Sequence, residues 1–276
     1  MLPLKINELK SVYTMLSLKG KTALVTGGAG GIGRSCAAAL AELGANIALV
    51  DISMKLDVLQ EHCVYLQEHF GVKAEAFCCD VSSEEDVSRT VNGVVRRFGR
   101  LDVVFSNAGI GGKNDCPAEM ELGEWNRVIN VNLTGMFLMD RICANAMKEL
   151  GNGGSIINTA SMSGHIINKG SRNDMSKHMV AYSAAKAGVI QLTKSIAVAY
   201  ADEHIRCNSI SPGMILSGLH DNMDMNALME FVEDMVPMRR FASLDEIVGI
   251  VVYLATDLSS YATGSDFVVD GGVTIW

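Results

Sequence analysis

The sequence predicts an α/β fold: a single domain built on a doubly wound parallel sheet flanked by helices. Three observations predict it. Short apolar runs alternate with helical patterns from Lys21 to the end, the runs are apolar almost throughout, and a glycine cluster joins the first run to the first long helix. Candidate strands, about seven, cover 22–26, 46–51, 74–79, 103–106, 155–159, 206–211 and 266–270. Candidate helices fill 32–43, 54–70, 84–98, 124–150, 181–200 and 244–255. Runs such as Ala23-Leu24-Val25 and Val103-Val104-Phe105 suit strands buried on both faces, which is the situation in a parallel sheet covered by helices. The βα alternation then implies right-handed crossovers. With no repeat, low-complexity tract or linker, the expected organisation is one domain over 18–276 behind an N-terminal extension, 1–17. Two stretches, 162–180 and 214–240, are too long for ordinary connections, and the carboxyl edge of such a sheet is where substrate loops sit.

Composition narrows the partners. The chain of 276 residues is 49% hydrophobic and 20% charged, and its formal charge of −8 disfavours nucleic acid or an anionic membrane, whose phosphates it would repel. A dinucleotide remains open, since backbone N–H groups can hold its phosphates. Seven cysteines form no C-x-x-C pair, which fits free, buried thiols in a reducing compartment. The first nineteen residues lack the apolar core and cleavage site of a signal peptide, and no run is long enough to cross a bilayer. The expectation is a cytoplasmic protein without a membrane partner.

The first strand runs into Thr26-Gly27-Gly28-Ala29-Gly30-Gly31-Ile32-Gly33 and then a helix. Glycines there let the chain turn and approach a pyrophosphate, which the helix N-terminus attracts. The spacing is G-x-x-x-G-x-G, through Gly27, Gly31 and Gly33. Asp51 ends the second strand and is followed by Ile52-Ser53-Met54, without an immediate Arg or Lys. A carboxylate at this place accepts hydrogen bonds from both hydroxyls of an adenosine ribose and repels a 2′-phosphate, so NAD is expected in preference to NADP. Asp80-Val81 and Asn107-Ala108-Gly109 end the next two strands. Singly each is an ordinary turn signal; their weight lies in following one another at successive strand ends.

Tyr182 and Lys186 stand four apart at the start of a helix and so share one face. An ammonium beside a phenol favours the phenolate, lowering its pKa toward the range needed for proton transfer. The spacing alone arises easily by chance. It gains meaning from Ser161, just past the fifth strand, whose hydroxyl can polarise a substrate oxygen, and from Asn132, a poor helix former inside a helix.

Together these elements resemble the classical short-chain dehydrogenase/reductase family, from about Leu18 to Gly272. The motifs occur in the family's order: the glycine loop, Asp51, Asp80-Val81, Asn107-Ala108-Gly109, Asn132, Ser161, Tyr182 with Lys186, and Ser211-Pro212-Gly213. The resemblance implies a Rossmann-type, seven-stranded domain and a reversible, NAD-dependent oxidation of a secondary alcohol to a ketone. It implies that Tyr182 is the general acid/base, that Lys186 lowers its pKa and holds the nicotinamide ribose, that Ser161 stabilises the reacting oxygen and that Asn132 positions a water in a proton relay. Carried over residue by residue, the cofactor would meet Gly27, Gly31, Ile32, Gly33, Asp51, Ile52, Asp80, Val81, Asn107, Gly109, Tyr182, Lys186, Pro212, Gly213, Ile215 and Ser217, the last standing where the family often has Thr. No metal is implied, and His62 and His69, seven apart on one helix, are read as solvated. Homotetramers through the long helices and the C-terminal strand are also a family habit.

The stretch from Ala160 to Asn168 and the ending Gly271-Gly272-Val273-Thr274 look like those of the family's polyol and ketose reductases, so a small polyol or sugar-like substrate is the leading expectation. A 3-oxoacyl reductase or hydroxysteroid dehydrogenase is the enzymatic alternative, favoured by a methionine-rich segment at 214–240; a non-catalytic NAD-sensing module is a remote one. Two features depart from the family. Ser106 replaces an asparagine, and 21 positions separate Ser161 from Tyr182, more than is usual. The surplus is expected to shape the substrate pocket, with His165 or Asn168 lining it.

Overall fold

A computed structural model describes residues 9–112, 117–167, 179–217 and 225–276. Seven strands, β1 (Thr22–Thr26), β2 (Asn46–Asp51), β3 (Ala74–Cys78), β4 (Val103–Ser106), β5 (Gly154–Thr159), β6 (Ile205–Pro212) and β7 (Asp266–Val269), form one sheet in the order β3-β2-β1-β4-β5-β6-β7. Every pair is parallel. The helices are α1 (Val12–Leu16), α2 (Gly31–Glu42), α3 (Leu56–Phe70), α4 (Glu84–Phe98), α5 (Leu122–Ile129), α6 (Gly135–Leu150), α7 (Val180–Tyr200), α8 (Met225–Met235) and α9 (Asp245–Ala255).

The alternation of side chains along each strand splits the core in two. Val25, Leu49 and Phe105 pack against α2, α3 and α9 on one face, while Leu24, Val50 and Val104 pack against α4, α6 and α7 on the other. All five residues of β1 are buried, as the uninterrupted apolar run required. Local signals fix the helix ends. Ser83 caps α4 by accepting the Asp86 N–H at 3.3 Å; Glu84, Glu85 and Asp86 fill the first turn, Arg96 and Arg97 the last, and Gly99 closes it with φ 76°. At the amino edge, Asp102 accepts from the Thr22 N–H at 2.9 Å and from Arg100 at 2.7 Å and 2.5 Å, locking β1 to the segment that leads into β4.

The chain winds outward in both directions from β1 and β4. The crevice at their carboxyl ends is therefore the topological switch point, where a ligand of this architecture binds. The expected strands and helices all form, within a residue or two at their ends. Two helices go beyond the sequence reading: α8 lies inside 214–240, and α1 lies inside the N-terminal extension, where Lys10 pairs with Asp257. Among the described cysteines Cys36, Cys63, Cys79, Cys143 and Cys207 are buried and only Cys78 is exposed.

The reading of His62 as a solvated residue is corrected. It lies 6% exposed on the inner face of α3 with Leu59, Cys63 and Leu66, while His69 is exposed and stacks on Tyr65. Burial, and then the charge of Arg34, push the His62 pKa down to about 4, and its Nδ1 has no hydrogen-bond partner. The imidazole is therefore neutral in the fold but gains a proton near 6.5 once unfolded. Its contribution is complete above pH 6.5 and is lost as pH falls toward 4. Chemical denaturation of the protein and of His62→Gln across this window should show the wild-type losing up to about 3 kcal/mol relative to the variant. Parallel stability curves would refute the assignment.

Candidate active site

The cofactor side is built around β1 and its glycine turn. Gly27 has φ 65°, and a Cβ on it would stand 2.8 Å from Asn107 Nδ2; a Cβ on Gly33 would stand 2.2 Å from the Gly27 carbonyl. These glycines let α2 close onto the turn and β4 approach it. Gly30, the N-cap of α2, offers no side-chain cap, so the first N–H groups of the helix, those of Gly31, Ile32 and Gly33, face the crevice. A Cβ on Gly31 would lie 3.1 Å from the Ser217 carbonyl, so the segment after β6 reaches the same helix end. An uncapped helix N-terminus beside such a turn fits a pyrophosphate.

Asp51 stands at the tip of β2. Its Oδ2 accepts the Ala29 N–H at 3.1 Å and its Oδ1 the Ile52 N–H at 2.9 Å, which aims the carboxylate into the crevice edge and leaves further lone pairs. Ile52 is exposed. Asp80 is exposed and accepts from the Ser82 N–H at 2.9 Å and hydroxyl at 2.7 Å, whereas Val81 is buried under Gly135. The Asn107 and Ala108 N–H groups both donate to the Thr26 hydroxyl, at 2.9 Å and 3.0 Å, and Asn107 Nδ2 donates to the Thr26 carbonyl at 3.2 Å. Thr26 thus ties the two central strands together at the switch point. Pro212 ends β6. Gly213 donates to the Val269 carbonyl at 2.9 Å, with no room for a Cβ beside Asp270, and Ile215 is buried and bridged to Ala242.

The residues expected to handle the proton meet at the same crevice. Lys186 is 2% exposed, and its ammonium donates to the Thr159 carbonyl at 2.5 Å and lies 5.5 Å from the centre of the Tyr182 ring. Burial pulls its pKa down to about 8. The Tyr182 and Ser161 hydroxyls are hydrogen-bonded to each other, and Ser161 Oγ accepts the Ser163 N–H at 3.1 Å. Asn132 sits in a π-helical turn, Asn130–Thr134, between α5 and α6. Its Oδ1 accepts the Ile110 N–H at 3.1 Å, while its Nδ2 donates to the carbonyls of Ile110 at 2.8 Å and Val128 at 3.1 Å. A Cβ on Gly109 would come within 2.6 Å of Asn132 Oδ1 and 3.6 Å of Lys186 Nζ, so these groups share one small space.

One expectation is corrected here. On balance the Tyr182 pKa is not lowered in this state. Burial of the phenol dominates and raises it, and the opposing pull comes from Ser161. The reason is geometric: the ammonium is spent on the Thr159 carbonyl and lies over the ring. Of the pocket residues, His165 leans away toward β6 and β7, with Nε2 2.7 Å from Asp266 Oδ2; Asn168 lies outside the described residues. Two contributors escaped the sequence reading. Thr26 was visible in the glycine motif but carried no role there. Met179 precedes α7 at φ 46°, and its Cε comes within 3.8 Å of a Cβ built on Gly111. Among the described residues no His, Cys, Asp and Glu gather as metal ligands.

Comparison with known proteins agrees with this geometry. A short-chain dehydrogenase family model described as enoyl-(acyl carrier protein) reductase matches residues 27–274. A sorbose reductase of Candida albicans is 37% identical over 99% of this chain and 94% of its own length. An NADP-dependent mannitol dehydrogenase of Alternaria alternata is 36% identical over 99% of this chain and 100% of its own. Among solved structures, a short-chain type dehydrogenase/reductase from Mycobacterium marinum superposes with a TM-score of 0.89 at 38% identity, over 96% of this chain and 100% of that one. An NAD+-bound xylitol dehydrogenase gives 0.82 at 34% identity, over 92% and 99%. The chain belongs to the short-chain dehydrogenase/reductase family, whose members are nicotinamide-dependent oxidoreductases.

Replacing Thr26 by Val keeps the shape of β1 but removes the acceptor shared by two N–H groups. Urea unfolding of Thr26→Val should show a loss of about 2–4 kcal/mol. A loss below about 0.5 kcal/mol would mean that the clamp does not hold the strand ends.

Proposed function

We propose that the protein is an NAD-dependent dehydrogenase that interconverts a secondary alcohol and a ketone on a polyol or ketose, with Tyr182 as general acid/base. The observation that carries this reading is the convergence of Tyr182, Ser161, Lys186 and Asn132 on one crevice beside the α2 N-terminus. When bound, the nicotinamide supplies the hydride acceptor for oxidation and the donor for reduction. In oxidation, Tyr182 takes the proton of the substrate hydroxyl while Ser161 donates to the same oxygen; in reduction Tyr182 returns it. Lys186 acts on the tyrosinate as it forms, because a buried ammonium interacts strongly with a nearby anion. Asn132, fixed by three hydrogen bonds, holds the 110 loop beside Lys186, where a water passes the proton on.

The polyol class rests on the named activities of the relatives, the sorbose reductase, the mannitol dehydrogenase and the xylitol dehydrogenase, together with the family resemblance of 160–168. The cofactor assignment rests on Asp51. Its carboxylate is aimed by the Ala29 and Ile52 N–H groups and retains lone pairs for ribose hydroxyls, where a 2′-phosphate would meet a like charge. The mannitol dehydrogenase is NADP-dependent by name and the xylitol dehydrogenase was solved with NAD+, so the cofactor varies among proteins of this likeness.

NADH formation across four- to six-carbon polyols tests the reading. No turnover with any polyol, alongside turnover of a steroid or 3-hydroxyacyl thioester, would replace the substrate class. Tyr182→Phe should cut kcat by at least about a thousandfold while the Kd for NAD stays within about threefold, and retained turnover would remove Tyr182 from its role. Asp51→Ala should move the NAD to NADP ratio of kcat/KM at least about tenfold toward NADP, whereas an unchanged ratio would dismiss the ribose contact.

A further inference from the structure

Behind the catalytic strands lies a polar cluster with no contact to solvent. Asp140 of α6 is fully buried; its Oδ1 meets the Ser106 hydroxyl at 3.2 Å and its Oδ2 the Asn158 Nδ2 at 2.7 Å. The same Nδ2 faces Thr193 Oγ1 at 3.0 Å and Cys207 Sγ at 3.6 Å, and the Thr193 hydroxyl is already given to the Val189 carbonyl. Ser106 and Asn158 are cross-strand partners at the carboxyl ends of β4 and β5. The next residues are Asn107, which meets Thr26, and Thr159, whose carbonyl receives Lys186 and whose hydroxyl donates to Asn107 Oδ1 at 3.4 Å.

The cluster is short of hydrogens. One NH2 group faces three acceptors, and Asn158 Oδ1 has no donor at all. No cation balances the carboxylate: among the described residues no ion pair reaches Asp140. One added proton, on Oδ1 toward the Ser106 hydroxyl, supplies a donor there while Oδ2 goes on accepting from Asn158, and removes a buried charge that nothing neutralises.

We propose that Asp140 carries a proton in the working enzyme and, as a neutral hydrogen-bonding clamp between β4 and β5, is a positioning residue for Lys186. It acts through Asn158 and Ser106 on the strand ends that present the Thr159 carbonyl and Asn107. Ionisation puts a bare charge into the clamp and loosens it. Burial raises the Asp140 pKa to about 7, against smaller opposing pulls from Asn158 and Ser106, so the change falls near neutrality. The other titratable groups around it are thiols, Cys143 on its own helix, Cys207 on β6 and Cys79 after β3, all raised by burial and hence neutral there. From α7, Lys186 is bound to Thr159, and on the outer side of α6 Arg141 pairs with Glu84.

The inference rests on the dehydrogenase reading for its kinetic consequence, but the proton itself can be seen without turnover. Infrared difference spectroscopy of the wild-type should show the carbonyl stretch of a buried carboxylic acid that fades as pH rises through about 7 and is missing in Asp140→Asn. Folding stability relative to Asp140→Asn should fall as pH rises from about 4 to about 7 and level off above that, because in this window the fold holds a proton that the unfolded chain has already released. With any alcohol that is turned over, Asp140→Leu should lower kcat about tenfold and Asp140→Asn should restore it to within about twofold at about pH 6. The kcat ratio of Asp140→Asn to wild-type should then climb severalfold by about pH 8.5. Absence of the infrared band, or a flat ratio across that range, overturns the proposal. Failure of every alcohol with the band present would instead count against the dehydrogenase reading alone.

Discussion

The site depends on keeping one ammonium out of water. Lys186 is buried, and it donates to the Thr159 carbonyl, a neutral dipole. A cation in that setting is costly unless an anion or an oriented set of dipoles arrives to meet it. The surrounding fold supplies the dipoles in advance, from the end of β5 and from the 110 loop that Asn132 braces. What the fold withholds is the anion, which in the proposed reaction is the charge that proton transfer creates. Under the proposed mechanism, the pairing stabilises a state that exists during reaction more than the resting one, which is the condition for acceleration.

The same arrangement explains why the resting phenol is harder, not easier, to ionise. Proximity in sequence placed Tyr182 and Lys186 on one helical face, and proximity alone led to the expectation of a lowered pKa. Desolvation acts on both partners, and a hydrogen bond to a carbonyl holds the ammonium over the ring. The order of effects in a buried pair is set by what else each group touches, and spacing along the chain carries no record of that.

The sheet and most helices were legible because parallel strands buried on both faces leave an unmistakable apolar run, and because caps such as Ser83 and Gly99 mark helix ends. The strand-end residues Asp51, Asn107 and Ser161 were legible for a related reason: chemistry at the carboxyl edge of such a sheet must come from positions just past each strand. What stayed hidden depends on tertiary contact. The Thr159 carbonyl has no side-chain signature, Thr26 reads as an ordinary β-former, His62 as a polar residue on a polar stretch of helix, and Asp140 as an unremarkable helix position until its burial is seen. The α8 helix was masked by its length inside a segment read as one loop.

The π-helical turn at Asn130–Thr134 has a consequence for how the long helical rod is shared. A wide turn holds one residue more than an α-turn, so it offsets the angular phase of everything that follows it by roughly the arc of one residue. Before and within the turn, Val128 and Asn132 meet the loop at 110–112; after it, Met136, Met139, Asp140 and Cys143 look into the core. A uniform rod would have to pick one compass bearing for both tasks. The single surplus residue acts as a vernier between them, so the chemistry in front and the packing behind can be tuned by substitution on either side without rotating the other out of place.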